Sequence, residues 1–199
     1  MTVSMSYFDS LYAASADPWD YEHRWYEARK RDLTLASLPH RRYTSGYEPG
    51  CSTGELSLRL AERCDRLLVS DGNASAVATA SARLAHQRHV DVRHLLLPED
   101  WPEGSFDLIV ISEIGYYLGA TGLDTLLRNA QRALLPGGVL LGCHWRHPIE
   151  GCALTGDEVH ARLAALPGLH RLSHLEETDF ALTLWSSDPT SVARREQLL

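Results

Sequence analysis

The chain is predicted to fold as an α/β protein built on a doubly wound, mostly parallel sheet of seven strands whose last strand runs antiparallel. Three observations predict it. Short apolar runs alternate along the chain with helical stretches, the pattern of strands joined by helical crossovers. Several of those runs, such as "FDLIVIS" at 106–112, are apolar almost throughout and so suit burial on both faces of a sheet. The last two runs are joined only by Glu177, Thr178 and Asp179, too short for a helical crossover, so that pair is antiparallel.

Each element follows in order. Residues 6–38 read as helical, interrupted at "ADPWD" (16–20), where Pro18 disfavours helix at the residue before it. Strands are expected at 44–48, 66–71, 90–95, 106–112 and 138–144, with helices near 53–64, 73–86 and 121–135 between them. Asn73 is placed to cap the second of these helices. The third is expected to end at "LLPGG", where Pro136 and Gly137 cannot continue it. Thr155 and Glu158 have capping-box spacing and start a further helix. Strands at 169–176 and 180–186 complete the sheet. No repeat and no long linker divides residues 1–199, so one domain is expected.

Composition narrows the function. With 199 residues, 44% hydrophobic and 23% charged, the chain can bury an ordinary core. A net charge of -7 argues against a general nucleic-acid binder, which needs a broad cationic face, although Arg24, Arg29, Lys30, Arg31, Arg41 and Arg42 cluster locally. No apolar run approaches the roughly 18 residues needed to cross a bilayer, and the first ten residues lack a signal-peptide core. A cytoplasmic protein with no membrane partner is expected. Cys51, Cys64, Cys143 and Cys152 have no disulfide-scaffold spacing and are read as reduced. Cys143, His144, His147 and Cys152 match no common zinc pattern, so no metal is expected.

The most informative stretch is "YEPGCSTGEL" at 47–56. It follows the first core strand, where a doubly wound sheet places its ligand. Glycines there let the backbone approach a ligand closely, and the amides opening the next helix favour an anion. A dinucleotide fingerprint would need glycine at position 55, where this chain has Glu55, and a phosphate loop would need a lysine. The spacing is instead E-x-G-x-[small]-x-G through Glu48, Gly50, Ser52 and Gly54. Asp71 ends the next strand, where a carboxylate can accept both hydroxyls of a ribose.

This loop and acid resemble the nucleoside-binding half of class I S-adenosylmethionine-dependent methyltransferases, which have a Rossmann-like sheet. "LPEDWPEGSFDLIVISEIGYYL" (97–118) is similar to their fourth-strand region and "LLPGGVLLGCHW" (134–145) to their fifth. More narrowly, "YFDSLYAASADPWDYEHRWYEARKRDLTLASLP" with "SEIGYYL" and "HWRHP" resembles the nodulation-protein S family of small-molecule N-methyltransferases, over roughly residues 7–148. The resemblance implies the cofactor S-adenosyl-L-methionine, with S-adenosyl-L-homocysteine as product. It implies that Glu48, Gly50, Ser52 and Gly54 border the methionine part and that Asp71 holds the ribose. Ser112 is expected beside the cofactor. The third strand ends in Leu95, Leu96 and Leu97 rather than an aspartate, so adenine contacts are expected from Pro98, Glu99 or Trp101.

Residues 1–40 are expected to form a helical lid over a core of residues 41–199. Trp25, Arg29 and Leu33 share one helical face, which suits a lid with Arg29 directed at the cofactor's carboxylate; the alternative is a solvated face with Trp25 in the core. Methyl transfer is an in-line displacement requiring aligned reactants and a neutral nucleophile. Groups able to orient an acceptor converge at the ends of the fourth and fifth strands. Glu113 and His144 are candidates for catalysis or for a structural part. Tyr116, Tyr117, Trp145, Arg146 and His147 are candidates for the acceptor pocket, Tyr117 and Trp145 as its walls. The leading expectation is methyl transfer to a small polar amine, such as an amino sugar. An O-methyltransferase, a nicotinamide-dependent oxidoreductase (disfavoured by Glu55) and a non-catalytic module on the same fold are the alternatives. The oligomeric state is left undetermined.

Overall fold

The computed structural model describes residues 3–199; Met1 and Thr2 of the expected lid segment lie outside the described residues. Seven strands form one sheet in the order β3-β2-β1-β4-β5-β7-β6. They are β1 (Gly46–Pro49), β2 (Leu67–Asp71), β3 (Val90–His94), β4 (Phe106–Ser112), β5 (Leu134–Trp145), β6 (His170–Glu176) and β7 (Phe180–Ser186). All neighbours are parallel except β7, which is antiparallel to both β5 and β6, as the short 177–179 connection requires. The order reverses at β1: the chain moves to β2 and β3 on one side, then returns to β4 and β5 on the other. Loops after β1 and β4 therefore part and open a crevice at the carboxyl edge.

The period of two along β4 divides the core. Leu108 and Val110 join a cluster with Val69, Leu60 and Leu84, under the helices α2 (Trp25–Ser37), α3 (Glu55–Ala61) and α4 (Ala74–Leu84). Ile109 and Ile111 join the opposite cluster with Leu123, Leu126 and Leu163, under α5 (Gly119–Ala133) and α6 (Gly156–Ala164). Both faces of the central strands are thus covered, which is why their sequences are almost uniformly apolar. Asn73 caps α4, its side chain accepting from the Ser75 and Ala76 amides at 2.9 and 3.0 Å. Thr155 and Glu158 form the expected capping box on α6.

Two boundaries differ from expectation. The helix foreseen at 53–64 begins only at Glu55, because Ser52 (φ 50°) and Gly54 (φ 82°) hold the backbone left-handed. The helix foreseen at 121–135 stops at Ala133, and β5 begins at once. "PGG" therefore lies within the strand: pairing with β4 jumps from Phe106–Leu134 to Leu108–Val139, and the extra residues bulge out with Gly137 at φ 74°. The N-terminal helices α1 (Met5–Ala14) and α2 flank an irregular segment that contains Pro18. α1 lies across the crevice and is tied down by polar contacts, since it has no fully buried residue. Asn73 donates to Asp9 at 2.9 Å and Tyr12 pairs with Ser52 at 2.6 Å. No described helix is long and apolar enough to cross a membrane.

Candidate active site

The crevice is a cavity of about 420 Å³, floored by the loops after β1, β2, β3 and β4 and roofed by α1, α2 and the loop between them. Gly50 (φ 73°) lies on its floor, and a Cβ there would come within 2.8 Å of Ile114 Cδ1. Only glycine leaves the backbone bare at that point. Gly54 does not line the cavity. Its left-handed residue opens α3, and a Cβ would press to 3.3 Å on the Ala80 backbone, so it serves close packing of α3 on α4.

Asp71 faces the cavity from the end of β2. Its carboxylate is oriented by two backbone amides, Ser52 N–H and Asn73 N–H, each donating at 2.9 Å. Burial raises its pKa, while those amides and that of Gly72 oppose the shift. Lone pairs left over can accept further hydroxyl donors. Ser52 lines the cavity, its hydroxyl pairs with Tyr12, and the N-cap position of α3 belongs to Gly54. Glu48 is fully buried beside the floor and bonded by Ser57 Oγ at 2.6 Å; burial, with repulsion from Asp71 added, pushes its carboxyl up to about 8. Glu99, Ser112 and Leu95 to Leu97 also line the cavity. Pro98 and Trp101 do not. The Pro98 carbonyl accepts from Asn129, and the Trp101 ring packs edge-on against Tyr47 at 5.1 Å.

The roof corrects the expected lid face. Trp25 is 74% exposed, and Arg29 is turned away into a two-pronged pair with Glu177 at 2.6 and 2.8 Å. The face of α2 that meets the cavity carries Glu27, Lys30, Arg31 and Thr34. Their i, i+3, i+4, i+7 spacing is that of a buried stripe. It escapes a hydropathy reading because the residues are polar. Lys30 Nζ binds Glu27 at 2.9 Å and Glu113 at 2.8 Å, and lies 5.0 Å from the Tyr26 ring centroid. Burial works against its charge, but Glu113 and Glu27 outweigh it and hold the ammonium above the usual lysine range. Arg31 donates to the Tyr21 carbonyl at 2.7 Å and makes no ion pair among the described residues. The segment before α2 adds Trp19, stacked on Tyr21 at 5.6 Å, and α1 adds Phe8 and Tyr12.

Glu113 reaches the cavity, with φ 57° turning it sharply out of β4. Three donors occupy its oxygens: Lys30, the Trp145 amide at 3.0 Å, and the Tyr116 hydroxyl. It is a node joining α2, β4 and β5 rather than a free base. Tyr117 lines the cavity against Phe8, whereas Tyr116 lies beneath it. The remaining candidates from β5 do not enter. His144 has no exposed surface and sits behind the wall. Trp145 packs on Tyr26, Arg146 is held by Asp157 and Glu176, and His147 pairs with Asp179. The antiparallel β7 and its turn draw these side chains outward, a long-range pairing with no local signal. No group of His, Cys, Asp and Glu among the described residues could hold a metal ion.

A methyltransferase-domain model matches residues 47–140, the stretch from the glycine loop through β5. A solved Pseudomonas syringae chain described as a candidate methyltransferase is 50% identical, with TM-score 0.73, and covers 82% of this chain and 99% of its own. The chain belongs to the methyltransferase family. Within that family it is similar to nodulation protein S of Rhizobium tropici, 31% identical over 130 residues, 64% of this chain. The match spans 55% of that relative's own length. The N-methyltransferase NodS of Bradyrhizobium japonicum WM9, solved with S-adenosyl-L-homocysteine, is 26% identical and superposes with TM-score 0.79, covering 89% of this chain and 96% of that one.

Proposed function

We propose that the protein transfers a methyl group from S-adenosyl-L-methionine to a small polar acceptor, with an amine nitrogen as nucleophile. The observation that carries this is Asp71, a carboxylate oriented by the Ser52 and Asn73 amides and aimed into a cavity whose neighbouring wall is the bare backbone of Gly50. That donor set fits the cofactor. Asp71 would accept from its ribose, the Gly50 loop would border its methionine part, and Arg31, rather than Arg29, would meet its carboxylate. When bound, the cofactor supplies an electrophilic methyl on a sulfonium. The protein aligns the acceptor and excludes water, through the α1–α2 roof and the aromatic rings of Phe8, Tyr12, Trp19 and Tyr21. Removal from water disfavours the charged form of an amine, leaving the neutral nucleophile. The four free cysteines support a cytoplasmic enzyme, and the charge of -7 suits a small-molecule substrate rather than nucleic acid.

The test is mass spectrometry of a panel of amines and alcohols incubated with protein and S-adenosyl-L-methionine. A gain of one methylene mass on an amine is expected. Gain on alcohols alone would transfer the reading to oxygen, and no gain on any acceptor despite cofactor binding would favour a non-catalytic module.

A further inference from the structure

Behind the cavity wall runs a chain of polar side chains that the proposed transfer does not use. The Gly115 amide meets His144 Nε2 at 3.4 Å, and His144 Nδ1 meets His160 Nε2 at 3.2 Å. His160 Nδ1 meets Thr183 Oγ1 at 3.1 Å, Thr183 Oγ1 meets His174 Nδ1 at 2.6 Å, and His174 Nε2 meets Glu176 at 3.2 Å at the surface. His144, His160 and Thr183 are buried.

The direction of every bond is set from both ends. A backbone amide can only donate, so His144 Nε2 is bare and its proton is on Nδ1, pointing at His160. His160 Nε2 must then be bare and its Nδ1 must donate to Thr183. From the other end, the Glu176 carboxylate accepts from His174 Nε2, so His174 Nδ1 is bare and takes the Thr183 hydroxyl proton. The two derivations meet at Thr183, which accepts once and donates once. His144 and His160 each carry a single ring proton in this scheme. Burial lowers the pKa of His144 far below its ordinary value, and that of His160 to about 4.

We infer that His144 is a positioning residue: the chain through His160, Thr183, His174 and Glu176 holds it in one tautomer, and His144 thereby fixes the Glu113–Tyr116 turn that walls the cavity. The turn needs such a hold. Glu113 is left-handed at φ 57°, and Gly115 fits so closely that a Cβ would come within 2.6 Å of Val159 and 3.1 Å of His144 Nε2. The residues flanking His144 grip the same turn through backbone. Glu113 N donates to the Cys143 carbonyl, and Trp145 N donates to the Glu113 carboxylate. His144 adds the third point, at Gly115, and neither it nor His160 faces the cavity. Its relevance to catalysis rests on the methyltransferase reading; its geometry does not.

Thr183→Val keeps the shape of a buried strand residue and cuts the chain two bonds away from the turn, whereas Thr183→Ser keeps the hydroxyl. Nitrogen-15 NMR of the histidine rings in the protein alone should show His144 and His160 protonated at Nδ1 and His174 at Nε2. Hydrogen exchange of the Gly115 amide should accelerate roughly fivefold in Thr183→Val, as loss of a supporting hydrogen bond implies, and should return to the wild-type rate in Thr183→Ser. A proton on His144 Nε2, or equal exchange in all three proteins, overturns the inference. Should Thr183→Val fail to fold, the wild-type tautomers decide. These readouts need neither cofactor nor acceptor, so their failure is distinct from failure to bind S-adenosyl-L-homocysteine.

Discussion

Replacing Glu48 by glutamine should change how stability depends on pH. Glu48 has almost no contact with solvent, one hydroxyl donor in Ser57 and the Asp71 carboxylate nearby, and its carboxyl is pushed from an ordinary 4.5 up to about 8. A raised carboxyl pKa means that the folded protein keeps a proton that the unfolded chain has already released. Stability therefore falls as pH rises between about 4.5 and about 8. The slope is about 1.4 kcal/mol per pH unit, so the full loss above that window is on the order of 5 kcal/mol. Glutamine keeps the acceptor for Ser57 and cannot ionise. Urea unfolding of both proteins at several pH values between 5 and 8.5, followed by circular dichroism, isolates this group from all others that titrate. The variant should gain several kcal/mol on the wild type across the interval, with nearly all of the gain above pH 5. Parallel profiles would instead mean that Glu48 is ionised or hydrated in the folded state.

Lys30→Met should destabilise by about 3–5 kcal/mol in denaturant melts, because it leaves the buried Glu27 carboxylate, and Glu113 at the cavity edge, without their cation. Gly50→Ala should lower stability by about 1–3 kcal/mol through its left-handed backbone, and should weaken S-adenosyl-L-homocysteine binding by calorimetry, since Ile114 must yield to the new Cβ. The two lid arginines should separate in the same assay. Arg31→Ala should weaken binding about tenfold, as expected for a charge-assisted contact, whereas Arg29→Ala, paired with Glu177 outside the cavity, should leave affinity nearly unchanged.

What could be read from the sequence was what is local. β4 declares itself because both its faces are buried. Gly50 and Asp71 are found because each occupies a strand end, and Asn73 and Thr155 because capping needs only neighbouring residues. The inward face of α2 was misread for a physical reason. Its buried positions, Glu27 and Lys30, are charged and reach burial by pairing with each other, and Lys30 also pairs with Glu113, 83 residues away. Apolar Trp25 meanwhile stands in solvent. The end of β5 was misread because Arg146 and His147 find their partners on the turn between β6 and β7 and on α6. His144, a candidate for catalysis or for a structural part, is buried behind the site, in a chain assembled from four separate elements.

The crevice opened by the loops after β1 and β4 is proposed to hold S-adenosyl-L-methionine through Asp71 at the end of β2. Isothermal calorimetry with S-adenosyl-L-homocysteine measures that binding. The wild type should bind in the micromolar range, and Asp71→Ala should bind about ten to a hundredfold more weakly, the loss expected for hydrogen bonds to a charged group. No heat of binding to the wild type, or equal affinity in the two proteins, would contradict it.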